Sequence, residues 1–153
     1  MKEYEFCFEV KELKPYIEYC KLNGYNLVEE GDQERIIYRK SDGTIARVTT
    51  NVKNGKIKRS LDFKEDKISE SVLNVRKESL PIDFTDINAV ESILDFLNYK
   101  KDNTLIRRRY TFEKNKVKFE LDEYTQPKIA YIVAIEGEKD LVDKTYKAVK
   151  NLT

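Results

Sequence analysis

The sequence predicts an α+β protein built around a large antiparallel sheet that is either strongly curved or closed into a barrel. Segments in which apolar and polar residues alternate occupy most of the 153 residues, and this period of two is typical of half-buried strands. Three segments have helical spacing with an apolar stripe, so they need an apolar sheet face to pack against. About eight strands with so few helices favour one antiparallel sheet.

The first two elements are a strand and a short helix. In KEYEFCFEVK every second residue from Tyr4 to Val10 is aromatic or aliphatic, while Glu3, Glu5 and Cys7 share the opposite face. ELKPYIEYCKLNG has helical spacing, with Pro15 in its first turn and an Asn-Gly pair at its end.

The next segments are predicted to form hairpins. The strands YNLVEE, QERIIYRK, TIARVTTNV and KIKRSLDFK follow one another. Asp42-Gly43 precedes the third strand and Asn54-Gly55 precedes the fourth, and both pairs accept the positive φ of tight hairpin turns.

The second half of the chain is predicted to contain a strand, a helix, three strands and a final helix. The strand SVLNVRKES leads to the helix DINAVESILDFLNY, whose N-cap is Thr85 or Asp86. The strands TLIRRRYTFE, NKVKFELDEY and KIAYIVAIEG follow, and EKDLVDKTYKAVKNLT returns to helical spacing. We see no linker, so residues 1–153 are expected to form a single domain.

Composition excludes several classes of function. The 29 basic residues nearly balance the 28 acidic ones, so no nucleic-acid partner is expected. The absence of histidine excludes His-based triads, His metal sites and imidazole proton shuttles. We find no signal peptide and no long apolar run, so a cytoplasmic protein without membrane association is expected. The sequence leaves open whether it is a monomer or a homodimer.

Charged residues follow one face of several predicted strands, and two interpretations of them stay open. The charged faces could simply point to solvent. If the helices pack outside a barrel, the same faces would point inwards. The residues in question are Lys56, Lys58, Asp62 and Lys64 on one strand, Arg76 and Glu78 on another, Arg107 and Arg109 on a third, and Lys116, Lys118, Glu120 and Asp122 on a fourth.

The order of these motifs resembles the CYTH family of triphosphate tunnel enzymes, which includes class IV adenylate cyclases and thiamine triphosphatases. Glu3-Tyr4-Glu5 resembles the family's Glu-x-Glu-x-Lys, and Arg47-Val48-Thr49 resembles its Arg-x-Arg. VRKES is similar to its Arg-x-Glu segment, IRRRYTF to its basic strand, VKFELDEY to its Leu-Asp strand, and AIEG to its final Glu-x-Glu. The resemblance covers nearly the whole chain.

The resemblance implies a closed or nearly closed tunnel of eight antiparallel strands, with helices packed outside, that binds a small triphosphate such as a nucleotide, thiamine triphosphate or tripolyphosphate. It implies Mg²⁺ or Mn²⁺ as the cofactor, since carboxylates suit these cations. Glu5 and Arg109 would be catalytic. The implied metal ligands are Glu3, Glu5, Glu136 and Asp122, and the implied phosphate-binding residues are Arg47, Lys64, Arg76, Arg107 and Arg109.

Three positions depart from the family pattern. Cys7 stands where a lysine is expected, Thr49 where an arginine is expected and Ala134 where a glutamate is expected. We therefore keep three hypotheses. The first is a metal-dependent triphosphate phosphohydrolase or adenylate cyclase-like enzyme. The second is a catalytically impaired triphosphate-binding protein of the same fold, and the third is a structural or partner-binding β protein.

Overall fold

The computed structural model describes residues 4–65 and 77–152. The first part contains β1 (Tyr4–Val10), α1 (Lys14–Leu22), β2 (Asn26–Arg39), β3 (Thr44–Lys53) and β4 (Lys56–Glu65). The second part contains β5 (Ile82–Phe84), α2 (Ile87–Phe96), β6 (Lys100–Lys114), β7 (Val117–Gln126), β8 (Ala130–Gly137) and α3 (Lys139–Val149). The predicted α+β class is confirmed.

The strands form one antiparallel sheet of eight strands in the order β1-β8-β7-β6-β2-β3-β4-β5. The first strand of the chain pairs with the last, so that Glu5 lies opposite Glu136. Closure into a barrel by hydrogen bonds is not confirmed, because within residues 4–65 and 77–152 no pairing joins the edge strands β1 and β5.

Two predicted strands form a single long one. YNLVEE and QERIIYRK were given as separate strand segments, but nearly all of both lies in the 14-residue strand β2. Gly31 has extended backbone here and lets the backbone at Val52 approach β2 closely, because a Cβ on Gly31 would lie 3.0 Å from the carbonyl oxygen of Val52. The predicted Asn-Gly hairpin is confirmed, with Asn54 and Gly55 both at positive φ.

The region before α2 also differs from expectation. The predicted strand SVLNVRKES lies mostly outside the described residues, and its described end contributes an isolated bridge from Glu78 to Lys64. The short strand β5, which sequence alternation did not indicate, pairs with Arg59–Leu61 at the edge of the sheet.

All three helices pack on one face of the sheet. Side chains of α1 and α3, such as Tyr16 and Val142, form a core with Phe112, Phe119 and other side chains of β1, β6, β7 and β8. Val90 and Leu94 of α2 form a second core with side chains of β2 and β3. Because strand side chains alternate, the charged residues lie on the opposite face, away from the helices. The helices and the charged side chains therefore lie on opposite faces of the sheet, as the second interpretation requires, but closure of the sheet into a barrel is not confirmed.

The helix ends follow local chemistry. Asp86 caps α2, accepting a hydrogen bond from the backbone N–H of Ala89 at 3.1 Å. Within α2, Val90 and Leu94 are buried, whereas Ile93 is 56% exposed. No helix in the described part of the chain is long and apolar enough to cross a membrane.

Candidate functional site

The polar face of the sheet encloses a cavity. Its volume is about 290 Å³, and side chains of β2, β3, β4, β6 and β7 line it. For five adjacent strands to line one cavity, the sheet must curve around its polar face. The charged and polar residues that line it include Gln33, Arg35, Thr49, Asp62, Arg109, Lys118 and Glu120.

Three glutamates lie together at one side of this face and are called here the carboxylate cluster: Glu5, Glu120 and Glu136. Their carboxylate oxygens lie within 4.8 Å of one another. Glu5 and Glu136 face each other across β1 and β8, and Glu120 comes from the neighbouring strand β7. Gly137 ends β8 with φ near 151°, and a Cβ there would lie 2.7 Å from the carbonyl oxygen of Lys116. Only glycine therefore fits directly after Glu136.

The carboxylate cluster shares a proton in the metal-free protein. Burial and hydrogen bonds with Glu120 and Glu5 raise the pKa of Glu136 to about 10. Burial opposes ionisation of Glu5 as well, but hydrogen bonds from Glu136 and Cys7 hold the pKa of Glu5 below its ordinary value. The pKa of Glu120 is also lowered, since the hydrogen bond with Glu136 and the charge of Arg109 outweigh its burial. Glu136 is therefore the protonated member of the cluster near neutral pH.

Cys7 is a neutral neighbour of the cluster. Its Sγ donates a hydrogen bond to Oε1 of Glu5 at 3.0 Å. Burial and the charge of Glu5 raise the pKa of the Cys7 thiol far above its ordinary value. Where the resemblance leads us to expect a lysine, this chain therefore supplies a hydrogen-bond donor without positive charge.

Arg109 connects the carboxylate cluster to the basic residues. Its Nε and Nη2 donate to the two oxygens of Asp122 at 2.7 and 2.8 Å, and Nη1 lies 2.6 Å from Glu120. Burial opposes its charge, but these hydrogen bonds and the charge of Glu120 outweigh burial and raise the pKa of the guanidinium. A bidentate pair of this kind holds Arg109 in one orientation.

Arg107 is the most buried cation of the site, with 5% of its surface exposed. Nε donates to Oε1 of Gln33 at 2.7 Å and Nη1 donates to the hydroxyl of Tyr124 at 2.6 Å. Asp122 is 3.9 Å away. Nη2 is buried without a hydrogen-bond partner among the described residues. A buried donor left unpaired in this way is a candidate for binding a ligand oxygen.

Arg47 and Lys64 lie on β3 and β4 and are both paired with carboxylates. Arg47 donates to Asp62 through two nitrogens, and Glu78 lies 3.7 Å from it. Lys64 lies 2.9 Å from Glu78. These pairs balance charge inside the site, so Arg47 and Lys64 bring little net positive charge of their own.

Arg35 is a site residue that sequence reasoning missed. It lies on β2 opposite Thr49, and its Nε donates to Oγ1 of Thr49 at 3.1 Å. The alternation of QERIIYRK places Gln33 and Arg35 on one face, and this signal could have indicated Arg35. The resemblance drew attention to the neighbouring Arg47-Val48-Thr49 instead.

The structure brings together some of the predicted residues and separates others. Glu5 and Glu136 lie together, and Glu120, which was not among the implied metal ligands, lies with them. Asp122, a predicted metal ligand, lies against Arg109 and Arg107 and outside the carboxylate cluster. The prediction rested on the Leu-Asp motif, whereas cross-strand register places Asp122 directly opposite Arg109. Glu3 and Arg76 lie outside the described residues.

The carboxylate cluster fits the divalent cation that the resemblance implies. Mg²⁺ takes oxygen ligands at about 2.1 Å, so two ligands on opposite sides of it lie about 4.2 Å apart. Oxygens within 4.8 Å of one another need only small side-chain rotations to reach such positions. A donor set made only of carboxylates suits Mg²⁺ or Mn²⁺.

Comparison with known proteins relates the chain to others through its fold. No protein-family model and no curated protein matches the sequence. PH1819 from Pyrococcus horikoshii is similar over 98% of this chain and 89% of its own, with a TM-score of 0.76 and 22% identity. A candidate adenylate cyclase from Vibrio parahaemolyticus is similar over 99% of this chain and 84% of its own, with a TM-score of 0.66 and 13% identity.

A third similar structure is one chain of a larger module. A chain of the Mediator head module of Schizosaccharomyces pombe has a TM-score of 0.70 and 9% identity, over 98% of this chain and 95% of its own. At such identities the likeness concerns the fold and leaves the chemistry open. The fold of this chain is therefore similar to that of a candidate adenylate cyclase over almost its whole length.

Proposed function

We propose that the protein binds a small organic or inorganic triphosphate on the polar face of the sheet, together with Mg²⁺ or Mn²⁺, and processes it by hydrolysis or cyclisation. One observation supports this proposal above all. The carboxylate cluster and the guanidinium of Arg109 lie in contact, with Glu120 and Nη1 of Arg109 2.6 Å apart. Acidic and basic groups this close can hold a metal ion and the phosphate that it bridges.

The basic residues are proposed to hold the phosphate groups. Arg47, Lys64, Arg107 and Arg109 occupy four positions around the polar face, and Arg76 is added from the sequence alone. Guanidinium groups bind phosphate oxygens in pairs, which gives orientation as well as charge. The unpartnered Nη2 of Arg107 is a donor ready for such an oxygen.

Glu5 and Arg109 are the proposed catalytic residues. Glu5, with Glu120 and Glu136, would hold the cation, and Glu3 is added from the sequence. When bound, the cation would neutralise charge that develops on the phosphate or activate a nucleophile. Asp122 holds Arg109 in one orientation before substrate arrives, so the charge of Arg109 would be preorganised for the reacting phosphate. None of these roles needs a histidine.

A second function is favoured by the departures from the family pattern. Cys7 supplies no charge beside Glu5, and Ala134 supplies no ligand beside Glu136. Loss of one preorganised charge slows an enzyme by about 10²- to 10³-fold. The alternative is therefore a protein that binds a triphosphate on the same face with little or no turnover. The similarity to a Mediator chain shows that proteins with this fold also occur within large assemblies.

Turnover assays separate these possibilities. We would measure phosphate release and cyclic AMP formation from tripolyphosphate, ATP and thiamine triphosphate, with Mg²⁺ and with Mn²⁺. Glu5→Gln should abolish any turnover. Glu34→Gln is the matched control, because Glu34 is exposed on the opposite face of β2. Turnover unchanged by Glu5→Gln would overturn the metal assignment, and binding without turnover would favour the alternative.

A further inference from the structure

Arg35 differs from the other cations of the site because it has no carboxylate partner. Among the described residues, no carboxylate oxygen lies within ion-pair distance of its guanidinium, whereas Arg47, Lys64 and Arg109 are each paired. Its one hydrogen bond goes to the neutral hydroxyl of Thr49. The side chain lines the cavity. Among the described residues its Nη atoms make no hydrogen bond, so they are donors available at the cavity.

The neighbours of Arg35 raise the free-energy cost of keeping its side chain charged. Burial and the charges of Arg107, Arg47 and Arg109 lower the pKa of Arg35 to about 9, and the charge of Asp62, which lies beyond ion-pair distance, offsets only part of this effect. Four guanidinium groups thus act on one another around the same face of the sheet. Buried cations that repel one another are stable together only when an anion or solvent compensates them.

Arg107 provides a second, independent observation that the cations of the site lack anionic partners. It is the charged group that acts most strongly on Arg35, and its own Nη2 is buried without a hydrogen-bond partner in residues 4–65 and 77–152. Arg107 and Arg35 therefore both leave positive charge incompletely compensated on the polar face. The remaining hydrogen bonds of Arg107, to Gln33 and Tyr124, hold its guanidinium in place.

We propose that Arg35, supported by Arg107, is a specificity-determining residue that binds one phosphoryl group of the substrate. This inference rests on the proposed function and extends it, because it names a cation that the family-like motifs do not contain. The phosphoryl group bound there is distinct from the part of the substrate that lies at the carboxylate cluster. Arg35 acts on binding and leaves the metal ligands unaltered.

Binding measurements test this directly. Affinity for tripolyphosphate and for inorganic phosphate is measured by titration calorimetry, in EDTA and again with Mg²⁺. Arg35→Gln should weaken tripolyphosphate binding about 10- to 100-fold, the effect expected for one charge-assisted hydrogen-bonding group. Arg108→Gln is the matched control, since Arg108 pairs with Glu30 and Asp32 on the other face. It should bind like the wild type.

A stability measurement separates a binding role from a structural one. If Arg35 served mainly to hold the fold, Arg35→Gln would lower the midpoint of urea unfolding. We expect the midpoint to stay the same or rise, because the substitution removes a buried charge without a carboxylate partner. A lower midpoint together with unchanged affinity would overturn the inference.

Moving the cation from β2 to the neighbouring strand β3 tests whether the lost affinity can be restored. Arg35 and Thr49 face each other across β2 and β3, so Arg35→Gln combined with Thr49→Arg returns a guanidinium to the same part of the cavity. This double variant should recover at least tenfold of the lost affinity. Equal affinity of wild type and Arg35→Gln would refute the role of Arg35 while leaving the proposed function standing. A wild type that binds tripolyphosphate neither in EDTA nor with Mg²⁺ would overturn both.

Discussion

Metal binding should release one proton from the carboxylate cluster, and this proton is the one held by Glu136. With a pKa of about 10, the Glu136 carboxyl is protonated in the metal-free protein at neutral pH. Metal ligands must be deprotonated, so the cation has to displace this proton. The chain contains no histidine, so no imidazole contributes to titration in the neutral range. The protons released on binding therefore report on the cluster.

The expected magnitude follows from one proton competing with one metal ion. The apparent association constant should rise about tenfold per pH unit, or about 1.4 kcal/mol of binding free energy. Between about pH 6.5 and 8.0 the affinity should therefore increase roughly 30-fold. The affinity rises with pH because a lower pH favours the protonated Glu136 carboxyl, which cannot act as a metal ligand. The affinity should stop rising at a pH above the pKa of Glu136, where the carboxyl is already ionised before the metal binds.

Titration calorimetry with Mn²⁺ measures this release. At one pH, the apparent binding enthalpy is compared in two buffers with different ionisation enthalpies, and the difference gives the number of protons. We expect about one proton for the wild type and for the control Glu34→Gln. Glu136→Gln should bind more weakly, with affinity that no longer depends on pH.

Two results would refute this reasoning. Wild-type affinity that stays constant across this pH range, with no proton released, would mean that the three carboxylates do not share a proton. A Glu136→Gln protein that still releases one proton on binding Mn²⁺ would assign the proton to another group.

Two further predictions concern the site without metal. Asp122→Asn should lower the free energy of unfolding by about 3–5 kcal/mol in urea titrations, because it removes the buried carboxylate charge that Arg107 and Arg109 share and leaves Arg109 with Glu120 alone. A loss below about 0.5 kcal/mol, the range of ordinary surface substitutions, would contradict that pairing. Cys7, although exposed, should react with iodoacetamide at least about tenfold more slowly than free cysteine near pH 8, because the pKa of its thiol is raised. Glu5→Gln should accelerate the reaction, and a rate equal to that of free cysteine would show that Glu5 does not act on the thiol.

The local features of the fold were largely predictable from the sequence. Alternation along the strands assigned each side chain to one face or the other, and it correctly placed Arg108 opposite Arg107 and Arg109. Asn54-Gly55 predicted its hairpin and Asp86 its helix cap, since both signals depend on neighbouring residues alone. The role of Gly31, close approach to Val52, arises only after β2 and β3 pair.

The composition of the candidate site was predictable only in part. Glu5 and Glu136 were expected together because motifs at the two ends of the chain indicated them. Glu120 and Asp122 lie on the same face of β7, so alternation alone could not decide which of them joins the carboxylate cluster. Register decides it, since Asp122 lies opposite Arg109 and is held there.

The sequence by itself determined which side chains share a face, since a strand's period of two is a property of the local backbone. The tertiary structure alone decided which of those side chains meet. Pairing of β1 with β8 joins the two ends of the chain, and pairing of β2 with β6 inserts a strand from the first half beside one from the second. Such contacts depend on strand order and register across long sequence separations. For this reason the shared proton of Glu136 and the unpaired charge of Arg35 became visible only in the folded sheet.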